Sequence, residues 1–155
     1  MRLRLIAIGT KVPTWIHSGF REYADRMPRE CPLDLVEVAL PKRGKRANIQ
    51  KLVELEAERL LKAANGARIV ALDERGRQPD TREFGRWLNA WLVGHRDVAF
   101  LVGGPDGLAS HCVESAETVW SLSRLTLPHA LVRVLVAEQC YRALSLLRGH
   151  PYHRE

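Results

Sequence analysis

The last six residues of the chain, HPYHRE, concentrate side chains that can do chemistry. Histidine transfers protons near neutral pH, arginine binds anions, and tyrosine combines a hydroxyl with a ring that can stack on flat groups. Chain ends usually fray, so composition alone favours a disordered tail. Whether this tail is a disordered end or part of a site depends on the elements that precede it.

Three further segments follow predicted strands and are rich in glycine or polar residues: VALDERG (70–76), FLVGGPDGL (100–108) and SLSRLTLPH (121–129). In open α/β sheets, ligands bind at the carboxyl ends of strands. The glycines of GGPDG let the backbone turn sharply and let a flat ligand approach closely, although an ordinary tight turn has the same composition. GGPDG lacks the GK[ST] of a phosphate loop and the spacing of the dinucleotide fingerprint. The third segment can also be an irregular edge strand that enters a helix through Pro128.

Strands and helices alternate along the chain, with strands predicted at residues 2–8, 33–40, 67–73 and 97–104 and a short one from residue 118. Thr14, Asn48 and Thr81 are the predicted N-caps of three helices, and a long final helix follows Pro128. Apolar spacing places Trp15 on the buried face of the first helix and Ile49 on that of the second. ERGRQPD (74–80) is predicted to be a loop. The alternation predicts a single-domain α/β fold over residues 1–155 with a mostly parallel sheet.

Composition is that of an ordinary globular protein: 155 residues, 46% hydrophobic and 27% charged, with a net charge of +6. The charge makes an anionic partner plausible and shows no more than that. The apolar start of the chain is short and is interrupted by Gly-Thr-Lys, so we expect neither a signal peptide nor a membrane helix. The scattered cysteines Cys31, Cys112 and Cys140 fit reduced structural thiols of a cytoplasmic protein.

The final helix is apolar around most of its circumference, which predicts burial on several sides. In a small domain, one of those sides can face a partner subunit. The polar exceptions are Arg133, Glu138, Gln139 and Arg142, for which exposed surface positions are the plain alternative.

Four segments occur in order along the chain and together resemble one family. They are AIGTKVPTWIHSGFREYADR, LVGGPDGL, SLSRLTLPHALVRVLVAEQCYRA and the terminal HPYHRE. Their combination resembles the ribosomal RNA large subunit methyltransferase H family, small enzymes of the SPOUT class, over essentially the whole chain. Some relatives carry glutamate where this chain has Asp106, a change of one methylene.

The resemblance implies a SPOUT fold whose C-terminal part is threaded into a trefoil knot, an exception to the general absence of knots. It also implies a homodimer that uses S-adenosylmethionine, and no metal, to methylate N3 of a pseudouridine in 23S ribosomal RNA. The implied substrate is the assembled ribosome, at a hairpin on the interface between its subunits. The implied cofactor-binding residues lie in the three strand-end segments: Leu72, Gly103, Leu122, Ser123, Arg124, Leu125, Thr126 and Leu127.

The resemblance further implies that the Tyr-His-Arg tail enters an active site, and in a dimer it can reach the cofactor of the partner. An imide N3 is protonated at neutral pH, so its proton must leave or its anion must be stabilised. We assign proton acceptance to His153, with Glu138, the terminal carboxylate or a water as alternatives. Arg154 is assigned to the developing anion or a phosphate, Tyr152 to base stacking, and Arg142 to a position facing the site.

RNA contacts are predicted at the basic residues Lys11, Lys42, Arg43, Lys45 and Arg46, and we expect charge removal there to weaken ribosome binding without changing cofactor binding. A solvated loop is the alternative for residues 41–46. His129 is a secondary site candidate or a structural histidine. Two other functions compete: a non-catalytic RNA-binding ribosome-assembly factor, and a nucleotide-binding oxidoreductase, which the missing glycine fingerprints disfavour.

Overall fold

The computed structural model describes residues 1–44 and 46–154, except for the side chains of His153 and Arg154. Its centre is a five-stranded sheet with the order β2-β1-β4-β3-β5, in which every strand pairing is parallel. The strands are β1 (Leu3–Ile8), β2 (Leu33–Val38), β3 (Arg68–Arg77), β4 (Val98–Val102) and β5 (Thr118–Trp120). The prediction of an α/β fold with a mostly parallel sheet is therefore confirmed. The trefoil knot stays a prediction from the resemblance.

Helices cover both faces of the sheet: α1 (Thr14–Ala24), α2 (Ile49–Ala63), α3 (Thr81–Gly94), α4 (Ser110–Glu114) and α5 (His129–Leu147). Alternate residues of β1 supply the two cores, since Leu5 packs with α1, α3 and α5 while Ile6 packs with α2 and α4. A terminal 3-10 turn, Pro151–Arg154, lies against α5. The short helix α4 has no counterpart among the predicted elements.

Two of the three predicted N-caps are wrong by one residue. Pro13 holds the N-cap position of α1, and Thr14 is the first helical residue. For α3 the cap is Asp80, whose carboxylate accepts the amide of Glu83 at 2.7 Å while the Glu83 carboxylate accepts the amide of Asp80 at 3.0 Å. This is a capping box, and the DTRE pattern could have revealed it. Asn48 caps α2 as predicted.

Three further expectations are wrong in detail. Trp15 is 58% exposed, and Ile16 and Phe20 form the buried face of α1 instead. Ile49 is also exposed, and Glu56, Ala57 and Leu60 form the buried face of α2 instead. The loop predicted from residue 74 continues β3 as far as Arg77, with an irregularity in its pairing to β5 after Leu72. This extension carries polar residues of β3 beyond the core.

Helix α5 is fixed to the end of β1 by a buried arginine. Arg133 is fully buried, so a surface position is wrong for this residue. Its Nη2 donates to the carbonyl oxygens of Gly9 at 2.7 Å and Ile8 at 3.1 Å, and its Nη1 pairs with Glu37 at 2.5 Å. These bonds compensate for the burial of the charge and hold α5 beneath the carboxyl edge of the sheet.

The described residues contain no helix that combines the length and the apolar character needed to cross a bilayer. The three cysteines are buried and none of them forms a disulfide. Within the same residues, no three His, Cys, Asp or Glu side chains converge as metal ligands.

Candidate active site

An open cleft of about 650 Å³ lies at the carboxyl ends of β3, β4 and β5. The three strand ends meet there because parallel strands place their carboxyl ends at one edge of the sheet. Seven of the eight predicted cofactor-binding residues line the cleft: Leu72, Gly103, Leu122, Ser123, Leu125, Thr126 and Leu127. Arg124 belongs to the same loop, is exposed and is not among the lining residues.

The glycine turn after β4, residues 103–107, forms one wall of the cleft. The amide of Gly107 donates to the carbonyl of Gly104 at 3.1 Å, and Gly107 has a φ of +83°. A Cβ on Gly103 would lie 2.6 Å from backbone atoms of Gly107. Position 103 therefore accepts only glycine without a shift of the turn. The segment is both a tight turn and a lining of the cleft.

The loop after β5 forms the opposite wall and is held by its own side chains. The Ser121 hydroxyl donates to the carbonyl of Ser123 at 2.9 Å, and the Ser123 hydroxyl accepts the amide of Leu125 at 2.9 Å. Leu125 is 77% exposed at the rim. An apolar side chain left uncovered beside a cleft provides a surface for the face of a flat ligand.

Polar residues beyond the eight predicted cofactor-binding residues also line the cleft, among them the secondary candidate His129. Asp73 accepts three hydrogen bonds from Arg75, from the backbone amide at 2.9 Å, Nε at 2.8 Å and Nη2 at 3.0 Å. The Arg75 side chain lowers the pKa of the Asp73 carboxyl, so this carboxylate is charged at neutral pH. His129 lies on another side, where burial and then the charge of Arg133 lower its pKa.

The tail residue Tyr152 is packed against α5. Its hydroxyl donates to Glu138 at 3.2 Å, its ring meets Tyr141 edge to face at 4.8 Å, and the Arg142 guanidinium lies 4.9 Å from its ring centre. Arg142 also donates to the same Glu138 carboxylate oxygen through Nε at 2.7 Å. Burial raises the pKa of Tyr152, with Tyr23 and Glu138 adding to the effect.

Glu138 is thus the centre of a cluster of hydrogen bonds. The sequence predicts this residue only as an alternative base. Its second oxygen accepts the side-chain amide of Gln139 at 2.6 Å, and the Gln139 carbonyl oxygen in turn accepts the Thr81 hydroxyl at 3.1 Å. The side chains of His153 and Arg154, two of the four predicted catalytic residues, lie outside the described residues.

The structure brings the cofactor candidates together and brings Tyr152 and Arg142 together, but it does not merge the two groups. Neither Tyr152 nor Arg142 lines the cleft of its own chain. A small cavity of about 90 Å³ lies between the two groups. It is lined by Gln139, which bonds to Glu138, and by Leu72 and Leu122 of the cleft. Within one chain, the described part of the tail, with Tyr152, and the cleft are neighbouring but separate.

The chain resembles known proteins over its full length. Residues 1–153 match the family model described as "Predicted SPOUT methyltransferase". The chain is 53% identical over 156 residues, covering 100% of both chains, to the ribosomal RNA large subunit methyltransferase H of Thioalkalivibrio sulfidiphilus.

Solved structures agree in fold. A probable methyltransferase from Bordetella pertussis has a TM-score of 0.62 at 21% identity and covers 92% of this chain and 94% of its own. A probable methylase family protein from Haemophilus influenzae has a TM-score of 0.63 at 16% identity, covering 96% and 69%. The family match, the full-length relative and the parallel sheet with its strand-end cleft agree: the chain belongs to the SPOUT methyltransferase family.

Proposed function

We propose that this protein transfers a methyl group from S-adenosylmethionine to N3 of a pseudouridine in 23S ribosomal RNA of the assembled ribosome. The main support is the full-length 53% identity to a ribosomal RNA large subunit methyltransferase H, together with a cleft built from the three strand-end segments. A ribosomal substrate also implies that the protein works in the cytoplasm.

The cleft fits the donor in size and in lining. Its volume is that of a pocket for a small molecule, and the glycine turn exposes backbone groups that can bond to a nucleoside edge. Leu72, Leu122 and Leu127 offer apolar contacts to the faces of an adenine. When bound, S-adenosylmethionine supplies the methyl group already attached to a sulfonium leaving group. The task of the chain is therefore to position the donor and the acceptor and to handle a proton.

We assign removal of the proton from the acceptor nitrogen to a residue of the tail. We assign its removal to His153, whose side-chain type titrates near neutrality, and stabilisation of the anion to Arg154. Glu138 is the less suitable base because its carboxylate already accepts hydrogen bonds from Tyr152, Arg142 and Gln139. Three of its lone-pair positions are therefore occupied, one by Tyr152 of the tail and two by residues of α5.

We further propose that the active site is composite and forms in a homodimer. In support, Tyr152 packs on the α5 of its own chain, away from the lining of its own cleft. Docking at a partner's cleft would require Tyr152 to give up a hydrogen bond and a cation–π contact, each about 1 kcal/mol, which binding of RNA can offset. Tyr152 would then be available to stack on a base.

The proposal is tested by incubating the protein with ribosomes that lack the modification and with methyl-labelled S-adenosylmethionine, and then mapping the labelled nucleotide. We expect one labelled pseudouridine in 23S RNA of assembled ribosomes and much less label in free 23S RNA. If the protein binds ribosomes but no S-adenosylmethionine in calorimetry, it is an RNA-binding assembly factor and the proposed function is wrong.

His153→Ala tests the assignment of the base at saturating donor and ribosome. We expect turnover to fall by about 100-fold, the usual contribution of a positioned base. Arg2→Ala, a surface change far from both groups of site residues, is the matched control. If the His153→Ala variant keeps the turnover of the wild type across neutral pH, this histidine does not transfer the proton.

A further inference from the structure

Arg43 connects the basic loop after β2 with the wall of the cleft. Its guanidinium forms an ion pair with the carboxylate of Asp106, which lies in the glycine turn and lines the cleft. The Arg43 side chain is 40% exposed and that of Asp106 is 26% exposed, so the pair lies at the surface of the turn. The residue predicted to bind RNA phosphate is instead engaged with the turn that shapes the candidate donor site.

A second carboxylate lies beneath the same turn. Glu56 of α2 is only 2% exposed, and neither of its carboxylate oxygens makes a hydrogen bond of ordinary geometry among the described residues, although the backbone amide of Gly104 is close enough to favour its charged form. It approaches the turn so closely that a Cβ on Gly104 would lie 2.9 Å from its Oε2. Burial raises the pKa of Glu56, and the charge of Arg43 is the strongest influence that lowers it.

The segment that carries Arg43 is anchored at both ends. At its start, Arg59 of α2 donates to the carbonyl of Ala39 at 2.7 Å. At its end, Asn48 caps α2 by accepting the amide of Lys51 at 3.2 Å. Arg43 is therefore held near the glycine turn by the same helix that carries Glu56.

We propose that Arg43 is a positioning residue for the methyl donor, because its guanidinium pairs with Asp106 of the glycine turn, beneath which the carboxylate of Glu56 is buried. Without this cation, the buried Glu56 loses its strongest compensating charge, keeps only the weaker influences of the Gly104 amide and Arg59, and faces the like charge of Asp106. Repulsion between the two carboxylates would then move the turn away from α2 and distort the cleft. Phosphate contacts in this loop would fall to other residues, such as the exposed Lys42 and Arg46.

The test is calorimetric titration of S-adenosylmethionine into the intact protein without RNA, and it rests on the proposed function. We expect Arg43→Ala to weaken donor binding about tenfold, a loss of about 1.4 kcal/mol. Lys42→Ala, which removes the adjacent positive charge, should leave the affinity unchanged. In a Glu56→Gln background, Arg43→Ala should cost about threefold or less, because the buried charge that needs compensation is gone.

Rescue by Glu56→Gln separates charge compensation from a general structural role, which removal of the carboxylate would not rescue. Circular dichroism melting checks that each variant is folded. If Arg43→Ala does not fold, Arg43→Gln replaces it and should weaken binding severalfold, whereas Arg43→Lys, which keeps the positive charge, should bind the donor more tightly than Arg43→Gln. Wild-type affinity in Arg43→Ala, or an equal loss in Lys42→Ala, would overturn the inference, whereas failure of the wild type to bind the donor would overturn the proposed function.

Discussion

Replacement of Gly103 by alanine should strongly weaken the affinity for the methyl donor and lower the melting temperature only moderately. The new Cβ would lie 2.6 Å from the carbonyl carbon and oxygen of Gly107 and 3.0 Å from the amide nitrogen of Leu108. Ordinary contacts between such atoms are about 3.5 Å or longer, so the turn must move by about 1 Å. All three clashing atoms belong to the backbone, and no rotamer change can relieve the contact.

The stability cost follows from overpacking, which amounts to about 1–3 kcal/mol. For a chain of this length, that corresponds to a fall in Tm of about 5 °C. Since the turn forms a wall of the cleft, a displacement of about 1 Å should weaken S-adenosylmethionine binding at least tenfold. Calorimetry measures the affinity, and thermal melting followed by circular dichroism measures the Tm.

Gly94→Ala is the matched control, because nothing lies within 4 Å of a Cβ at that position and the residue ends α3 far from the glycine turn. Its donor affinity should equal that of the wild type, with a Tm that is unchanged or slightly raised. If Gly103→Ala binds the donor as tightly as the wild type, the turn does not shape the donor site and this reasoning is refuted.

Three other changes test further parts of the structure. Arg133→Leu removes the fully buried member of an ion pair with the partly exposed Glu37, and urea unfolding should show a loss of about 3 kcal/mol, with a loss below about 1 kcal/mol contradicting its role in fixing α5. Because Arg75 lowers the folded-state pKa of Asp73, their pairing stabilises the fold above the unfolded pKa of about 3.9 and is lost as the pH falls through the folded pKa. Asp73→Asn should therefore be less stable than the wild type at neutral pH, and thermal melts should converge as the pH falls below about 4; a gap that persists in acid would refute the assignment. Double replacement of Lys42 and Arg46 by alanine should reduce the slope of log ribosome affinity against log salt by about 2, measured by filter binding, and an unchanged slope would place the phosphate contacts elsewhere.

Local sequence signals accounted for much of the fold. Alternation of strands and helices led to the parallel sheet, and Asn48 and the Pro128 boundary placed two helix starts correctly. The capping box that begins at Asp80 is equally readable from DTRE, although the predicted N-cap of α3 was Thr81. The face of α1 was misjudged because Trp15 and Ile16 are both apolar, and spacing alone does not say which of two neighbours turns inward.

The candidate site divides in the same way. The segments at the ends of β3, β4 and β5 were identifiable because glycine, proline and polar residues follow apolar strands, and their convergence follows from a parallel sheet. The ion pair of Arg43 with Asp106 was not predictable, since the two residues are 63 positions apart and a basic loop usually lies in solvent. The burial of Glu56 was equally hard to predict. Although Glu56 falls on the buried face of α2 with Leu60, a glutamate is ordinarily expected to face solvent.

The sequence by itself determined the class of fold, the three segments of the cleft and the chemical types in the tail, because these depend on local periodicity and on residue type. Tertiary structure alone decided which charges leave water: Arg133 beneath the end of β1 and Glu56 beneath the glycine turn are buried, and the partly buried Glu138 is bonded to Tyr152 and Arg142. A buried charge is tolerated only where specific donors, acceptors or opposite charges reach it. Those partners come from distant parts of the chain, and only the folded backbone brings them together.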